Sequence, residues 1–111
     1  MELSPGQVWW AVPELAVGRE QSGRRPVLVL ANEEYLAAVT TLALVVPITS
    51  RNRGWPNHVA LGGEHGLGRR SFAMSEQVRV ISRERMVERA GDVDAETLAV
   101  VRRWVIDFLS E

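Results

Sequence analysis

The chain has 111 residues, 46% hydrophobic and 24% charged, with a formal net charge of −1, which suits one ordinary globular domain spanning the whole chain and is too short for two. It contains no cysteine and only two histidines, His58 and His65, which excludes disulfides and thiolate metal sites and leaves a zinc site short of ligands. There is no apolar run long enough to span a bilayer and no basic region before residue 7, so neither a membrane span nor a signal peptide is expected, and a reducing cytoplasm is.

Residues 7–12 are a β-branched and aromatic run after Pro5 and Gly6, and predict a first strand. Residues 13–23 are polar, with Gly18 and Gly23, and predict a loop. Residues 25–31 predict a second strand, whose unbroken apolar run implies burial on both faces. Residues 32–38 predict a turn or two of helix capped by Asn32. Residues 41–49 predict a third, very apolar strand, and Pro47 near its end implies an edge or a bulge there. A polar loop over 50–57 precedes a short strand over 59–61, a glycine-rich loop over 62–70 and two more strands over 71–74 and 77–81. Ser82 caps a short helix with Glu84 and Arg85 in its first turn, and Asp94 caps the last helix, over residues 95–109.

That last helix carries Leu98, Val101, Val105 and Phe108 at helical spacing, with Trp104 and Leu109 widening the stripe and Arg102, Arg103 and Asp107 opposite. Such a stripe must pack on the sheet, because an isolated amphipathic helix is marginal in water. The fold expected is mainly β with a C-terminal α-helix: a curled, mostly antiparallel sheet of about five or six short strands in an SH3-like small β-barrel.

All 13 basic residues are arginine. Composition bias accounts for much of this, but the guanidinium is also the planar fork that fits phosphate. Arg19, Arg24 and Arg25 cluster with only Glu20 opposing them, and Arg51, Arg53, Arg69 and Arg70 follow with only Glu64 among them. Acidic residues gather at Glu33, Glu34 and in the C-terminal third. A near-neutral protein can still focus positive potential over loops on one face, which suits a polyanion.

Three segments have the makings of chemistry. In residues 18–26, Pro26 limits Arg25 to extended backbone, so its guanidinium stands where strand meets loop, a place for a phosphate clamp or a transition-state cation. Glu20 is placed to accept a proton; the plain alternative, and the commoner one, is an ion pair that merely holds the loop. In residues 46–50, the Thr49 and Ser50 hydroxyls emerge from a buried strand beside Arg51, to meet a phosphate or ribose oxygen or, as is commoner, to bond nearby backbone amides. In Ser75-Glu76-Gln77, a carboxylate between apolar runs is either exposed at a turn or buried with a partner. Trp9 and Trp10 are adjacent on a strand and face opposite sides, so only one is core. Trp55, beside Arg53 in the polar loop, suits base stacking, and Trp104 reads as core.

Taken in order, Gly6-Gln7-Val8-Trp9-Trp10, residues 18–30, Val46-Pro47-Ile48-Thr49-Ser50 and residues 76–81 resemble the MazF/PemK/Kid toxins. The resemblance runs over nearly the whole chain, and the Gly-x-Glu-Gln-x-Gly core with the later Pro-Ile-Thr-Ser is its strongest part. It implies an SH3-like fold, a homodimer, sequence-selective cleavage of single-stranded RNA without metal or cofactor, and a MazE-like antitoxin whose C-terminal segment covers the RNA site. It implies catalytic roles for Arg25 and Thr49, with Glu20 or Glu76 as the base. With the basic clusters read above, Arg19, Arg24, Ser50, Arg51, Arg53, Trp55, Glu76 and Gln77 are the expected RNA contacts. Two positions depart from relatives: Arg19 stands where some carry histidine, and Met74 where some carry arginine. The rivals are a CcdB-like gyrase poison, against which the ending Phe108-Leu109-Ser110-Glu111 counts, and a non-catalytic binding module of the same fold.

Overall fold

The computed structural model describes residues 2–12 and 23–110; the segment 13–22, with Arg19 and Glu20, lies outside them. In chain order the elements are β1 (Gln7–Ala11), β2 (Arg25–Val29), α1 (Glu33–Ala38), β3 (Leu42–Thr49), β4 (His58–Ala60), β5 (Phe72–Met74), β6 (Arg79–Ser82), β7 (Met86–Asp92) and α2 (Ala95–Leu109). The strands form one antiparallel sheet in the order β4-β5-β3-β2-β1-β7, with β6 also paired to β3. Its path ends at two edge strands, so the expected barrel is a curled, open sheet.

The apolar run of β2 is buried on both faces, as its sequence implies. Val27, Val29 and Ala31 join one core with Ala43, Val45, Leu36 and Ile81, and Leu28 and Leu30 join a second with Val8, Val46, Ile48 and Val101. The period of two along the strand divides the cores. Trp9 packs on the first core and donates its indole N–H to Gln7 Oε1 at 2.9 Å.

Pro47 lies in β3, a central strand, because β3 changes partner there. Leu42 to Val45 pair with β6, and Ile48 and Thr49 pair with β5. Val46 and Pro47 face only β2, so the missing proline N–H breaks no ladder. Both helix caps are made as expected: Asn32 Oδ1 accepts from Tyr35 N–H, and Asp94 Oδ1 accepts from Thr97 N–H, each at 2.8 Å.

Four expectations are corrected. Residues 75–77, partly assigned to a strand, form a 3₁₀ turn; the short helix expected after Ser82 is present as a 3₁₀ turn over Arg83–Arg85, with Ser82 Oγ accepting from Glu84 N–H as its cap. Residues 86–92 form β7, for which the sequence shows little signal: only Met86 is buried, and Glu88, Arg89, Gly91 and Asp92 are poor strand formers. Trp104 is half-buried against Phe108 rather than in either core. Of the α2 stripe, Val101 is buried and Leu98 and Val105 are half-buried, whereas Phe108 and Leu109 are 47% and 82% exposed. The last turn of α2 thus leaves its apolar side chains uncovered.

The β1–β7 register slips twice, so that Val87 and Ala90 are extra residues on β7. The glycine-rich loop over 62–70 docks at the second slip. Glu64 O accepts from Asp92 N–H and Gly62 O from Asp94 N–H, both at 3.0 Å. Gly66 has φ +78°, and a Cβ there would stand 1.9 Å from Ala90 O. Gly66→Ala is therefore expected to cost about 2 kcal/mol or more from backbone strain and clash, read as a fall in the urea midpoint; an unchanged midpoint would show that the loop does not dock on β7.

Candidate functional site

The site begins where β2 and β3 part. Their last paired residues are Val27 and Pro47. The same register carries Arg25 and Thr49 opposite each other two positions further on, where the ladder has ended. Beyond this point β2 continues against β1, with Pro26 across from Trp10 and Arg25 across from Ala11, while β3 turns to β5. The divergence opens a groove on each side of an Arg25–Pro26–Ile48–Thr49 ridge.

The first groove, about 320 Å³, is also lined by Trp10, Arg24, Ser50, Leu67, Arg69 and Ser71. The second, about 280 Å³, adds Ala11, Val12, Gln77, Arg79 and Arg85 over a floor that includes Val27, Pro47 and Ile81. Arginines 24, 25, 69, 79 and 85 thus line the two grooves, and no carboxylate among the described residues does. Local potential there is positive although the chain is near neutral.

Each cation is held differently. Arg24 pairs with Glu88 at 2.8 Å and lies 5.7 Å from the Trp10 ring centre. Arg85 donates through Nε to Val12 O at 2.9 Å. Arg25 is exposed and pairs with no carboxylate among the described residues, so its fork is open to an anion. Thr49 Oγ1 accepts from Arg51 N–H at 3.1 Å, the local turn bond weighed from sequence, and its own O–H remains able to donate into the grooves.

The structure brings Arg24, Arg25, Thr49, Ser50 and Gln77 to the grooves. It does not bring Arg51, Arg53, Trp55 or Glu76 into their walls. Trp55 stands on its own loop, 48% exposed, with Arg53 5.6 Å from its ring centre and His58 tilted against it at 4.8 Å. Arg69, Ser71, Arg79 and Arg85 were not singled out from sequence as site residues. Arg69 and Arg79 sit in stretches already noted as basic or family-like, but which arginines converge is a matter of strand pairing.

Glu76 has a different surrounding. It accepts from Asn57 Nδ2 at 2.7 Å, meets His58 Nε2 at 3.0 Å, and accepts from Gln77 Nε2 at 3.4 Å. His58 is buried and its Nδ1 has no partner, so the proton that satisfies this pair is on Nε2. Desolvation alone would raise the Glu76 carboxyl, but the His58 hydrogen bond, the turn's own N–H, the charge of protonated His58 and the Gln77 amide together hold it below the usual glutamate value.

A curled antiparallel sheet with arginine-lined grooves at the parting of two strands, free of carboxylates among the described residues, defines a small β protein shaped to hold a polyanion. Residues 4–109 match the family model described as PemK-like, MazF-like toxin of type II toxin-antitoxin system, and the chain belongs to that family. It is 33% identical over 98 residues to the Escherichia coli K12 endoribonuclease toxin MazF, covering 87% of this chain and 85% of the relative. It is 33% identical over 101 residues to Bacillus subtilis endoribonuclease EndoA, covering 88% and 86%. A crystal structure of MazE-MazF from Deinococcus radiodurans superposes with a TM-score of 0.81 at 32% identity, covering 96% of this chain and 95% of that one. These matches favour the ribonuclease reading over the gyrase-poison and silent-module rivals.

Because the Glu76 carboxyl titrates lower when folded, its stabilising contribution is fully present above the ordinary glutamate pKa and is lost as pH falls through the lowered value. Glu76→Gln is expected to flatten the acid limb of a Tm-against-pH curve. An acid limb equally steep in both proteins would show that Glu76 is not held by His58.

Proposed function

We propose that the chain is a sequence-selective endoribonuclease that cuts single-stranded RNA without a metal, with Arg25 and Thr49 as its catalytic pair. The observation that carries this is the meeting of Arg25 and Thr49 where β2 and β3 part, in arginine-lined grooves, in a chain of a toxin family whose curated relatives are named endoribonucleases. The base takes the 2′-hydroxyl proton, the 2′-oxygen attacks its own phosphorus, the bond to the 5′-oxygen breaks, and the departing oxygen takes a proton from solvent, leaving a 2′,3′-cyclic phosphate and a 5′-hydroxyl. Arg25 stabilises the charge that develops on the phosphorane, and Thr49 donates a hydrogen bond to a phosphate oxygen.

Of the two carboxylates considered as base, Glu76 is occupied by His58, Asn57 and Gln77, so Glu20, five residues before Arg25, is the base proposed. Arg19, Arg24 and Ser50 contact the RNA backbone, and Arg53 and Trp55 offer a stacking face on their own loop. Arg51, two residues after Thr49, adds charge to the loop that leaves the same strand end, and Gln77 stands in the second groove. The working state is a cytoplasmic homodimer neutralised by a MazE-like antitoxin. Exposed Ile106, Phe108 and Leu109 at the end of α2 supply apolar surface for a protein partner.

Purified protein incubated with a long unstructured RNA in EDTA should cut at a short recurring motif and leave 5′-hydroxyl ends. Arg25→Ala is expected to lower the rate by about two to three orders of magnitude, Thr49→Val by a similar factor, and Thr49→Ser by much less. Folded, antitoxin-free protein that leaves several RNAs intact would overturn the reading.

A further inference from the structure

The ribonuclease reading leaves Arg79 without a role. Arg79 is exposed on β6, across from Val45 of β3, in the wall of the second groove. Among the described residues it has no carboxylate partner. Its Nη2 donates instead to Gln77 Oε1 at 3.2 Å. A guanidinium steered by a neutral amide keeps its whole charge for an incoming anion, whereas one paired to a carboxylate, as Arg24 is, does not.

The amide that steers it is itself anchored. Gln77 Nε2 donates to Glu76 Oε2, and Glu76 is fixed by Asn57 and by buried His58. A chain of hydrogen bonds thus runs from the buried imidazole of His58, at the start of β4, to a cation at the groove. This explains why Glu76 is not in the groove although the residue after it is. It also limits how far Arg79 can wander, which lowers the entropy cost of a bidentate contact.

The two grooves share the Arg25–Thr49 ridge. A strand with its scissile phosphate on that ridge must run into both: one side meets Arg24 and Arg69, the other Arg79 and Arg85. In the second groove the apolar floor of Val27, Pro47 and Ile81 suits a sugar or base, and the cations stand at the wall. We propose that Arg79 holds the RNA phosphate next to the scissile one, on the opposite side of the ridge from Arg24 and Arg69, and that His58 and Glu76 are positioning residues that set it through Gln77. This rests on the ribonuclease reading.

The test is fluorescence anisotropy with a labelled single-stranded 2′-O-methyl RNA, which lacks the attacking hydroxyl and is read whether or not the protein cuts. Arg79→Ala is expected to weaken binding about tenfold and to reduce the slope of log affinity against log salt by about 0.7, one phosphate contact on a single strand. A neutral methylphosphonate placed at one linkage after another should cost the wild type affinity at the linkage beside the scissile one, and that loss should vanish in Arg79→Ala. Arg79→Lys should recover the salt slope but only part of the affinity, and exposed Arg103→Ala on α2 should change neither. Glu76→Gln and His58→Asn should weaken binding less than Arg79→Ala, leaving the salt slope intact.

An Arg79→Ala protein that melts like the wild type yet binds with unchanged affinity, slope and methylphosphonate profile would overturn the inference. If the wild type cuts RNA and this variant binds like it, the inference fails alone. If the variant loses its phosphate contact but the wild type cuts nothing, the ribonuclease reading fails and Arg79 stands as an RNA contact.

Discussion

The pairing of β2 with β3 is the constraint on which the rest of the molecule depends. Buried on both faces, β2 is locked in register by apolar side chains that alternate between two cores, and a slip of one residue would exchange the cores. The register that puts Val27 across from Pro47 also decides that Arg25 and Thr49 meet beyond the last ladder bond. The burial that stabilises the sheet is thus what aligns a charged and a hydroxyl side chain at its open end. Proline at 47 suits this place, because the strand has lost one neighbour and not yet gained the next.

Charge is arranged around that end with little reference to net charge. Arginines from β2, the glycine-rich loop, β6 and the turn before β7 line two grooves, while two acidic side chains of the described residues are turned to other work. Glu88 orients Arg24, and Glu76 holds a turn through His58. The glycine-rich loop reaches the first groove only because it is sealed against β7 by backbone bonds. Fold stability and site geometry are therefore coupled at Gly66 and Gly91, where a side chain would strike backbone on the other side.

Much of this was legible along the chain. The alternation and burial of β2, the cap at Asn32, the cap at Asp94 and the punctuation at Pro47 all follow from local chemistry, and so does the choice of Arg25 and Thr49 as residues at strand ends. The edge strand β7 was not legible, because charged and glycine residues there form a strand only when β1 supplies the partner. Trp104 and Phe108 misled in the same way. Helical spacing says that they share a face, but not whether anything in the fold covers it.

By itself, then, the sequence determined most of the elements and their order, the apolar faces of the buried strands and a family-like set of arginines and hydroxyls, since each depends on residues near one another in the chain. Only the tertiary structure decided which arginines converge. Strand register, the partner change of β3 and the docking of the glycine-rich loop are contacts between residues far apart in sequence. It separated Glu76 from the grooves and brought in Arg69, Arg79 and Arg85. The physical reason is that a side chain's neighbours across a sheet are chosen by the burial of the whole strand, not by the residues on either side of it.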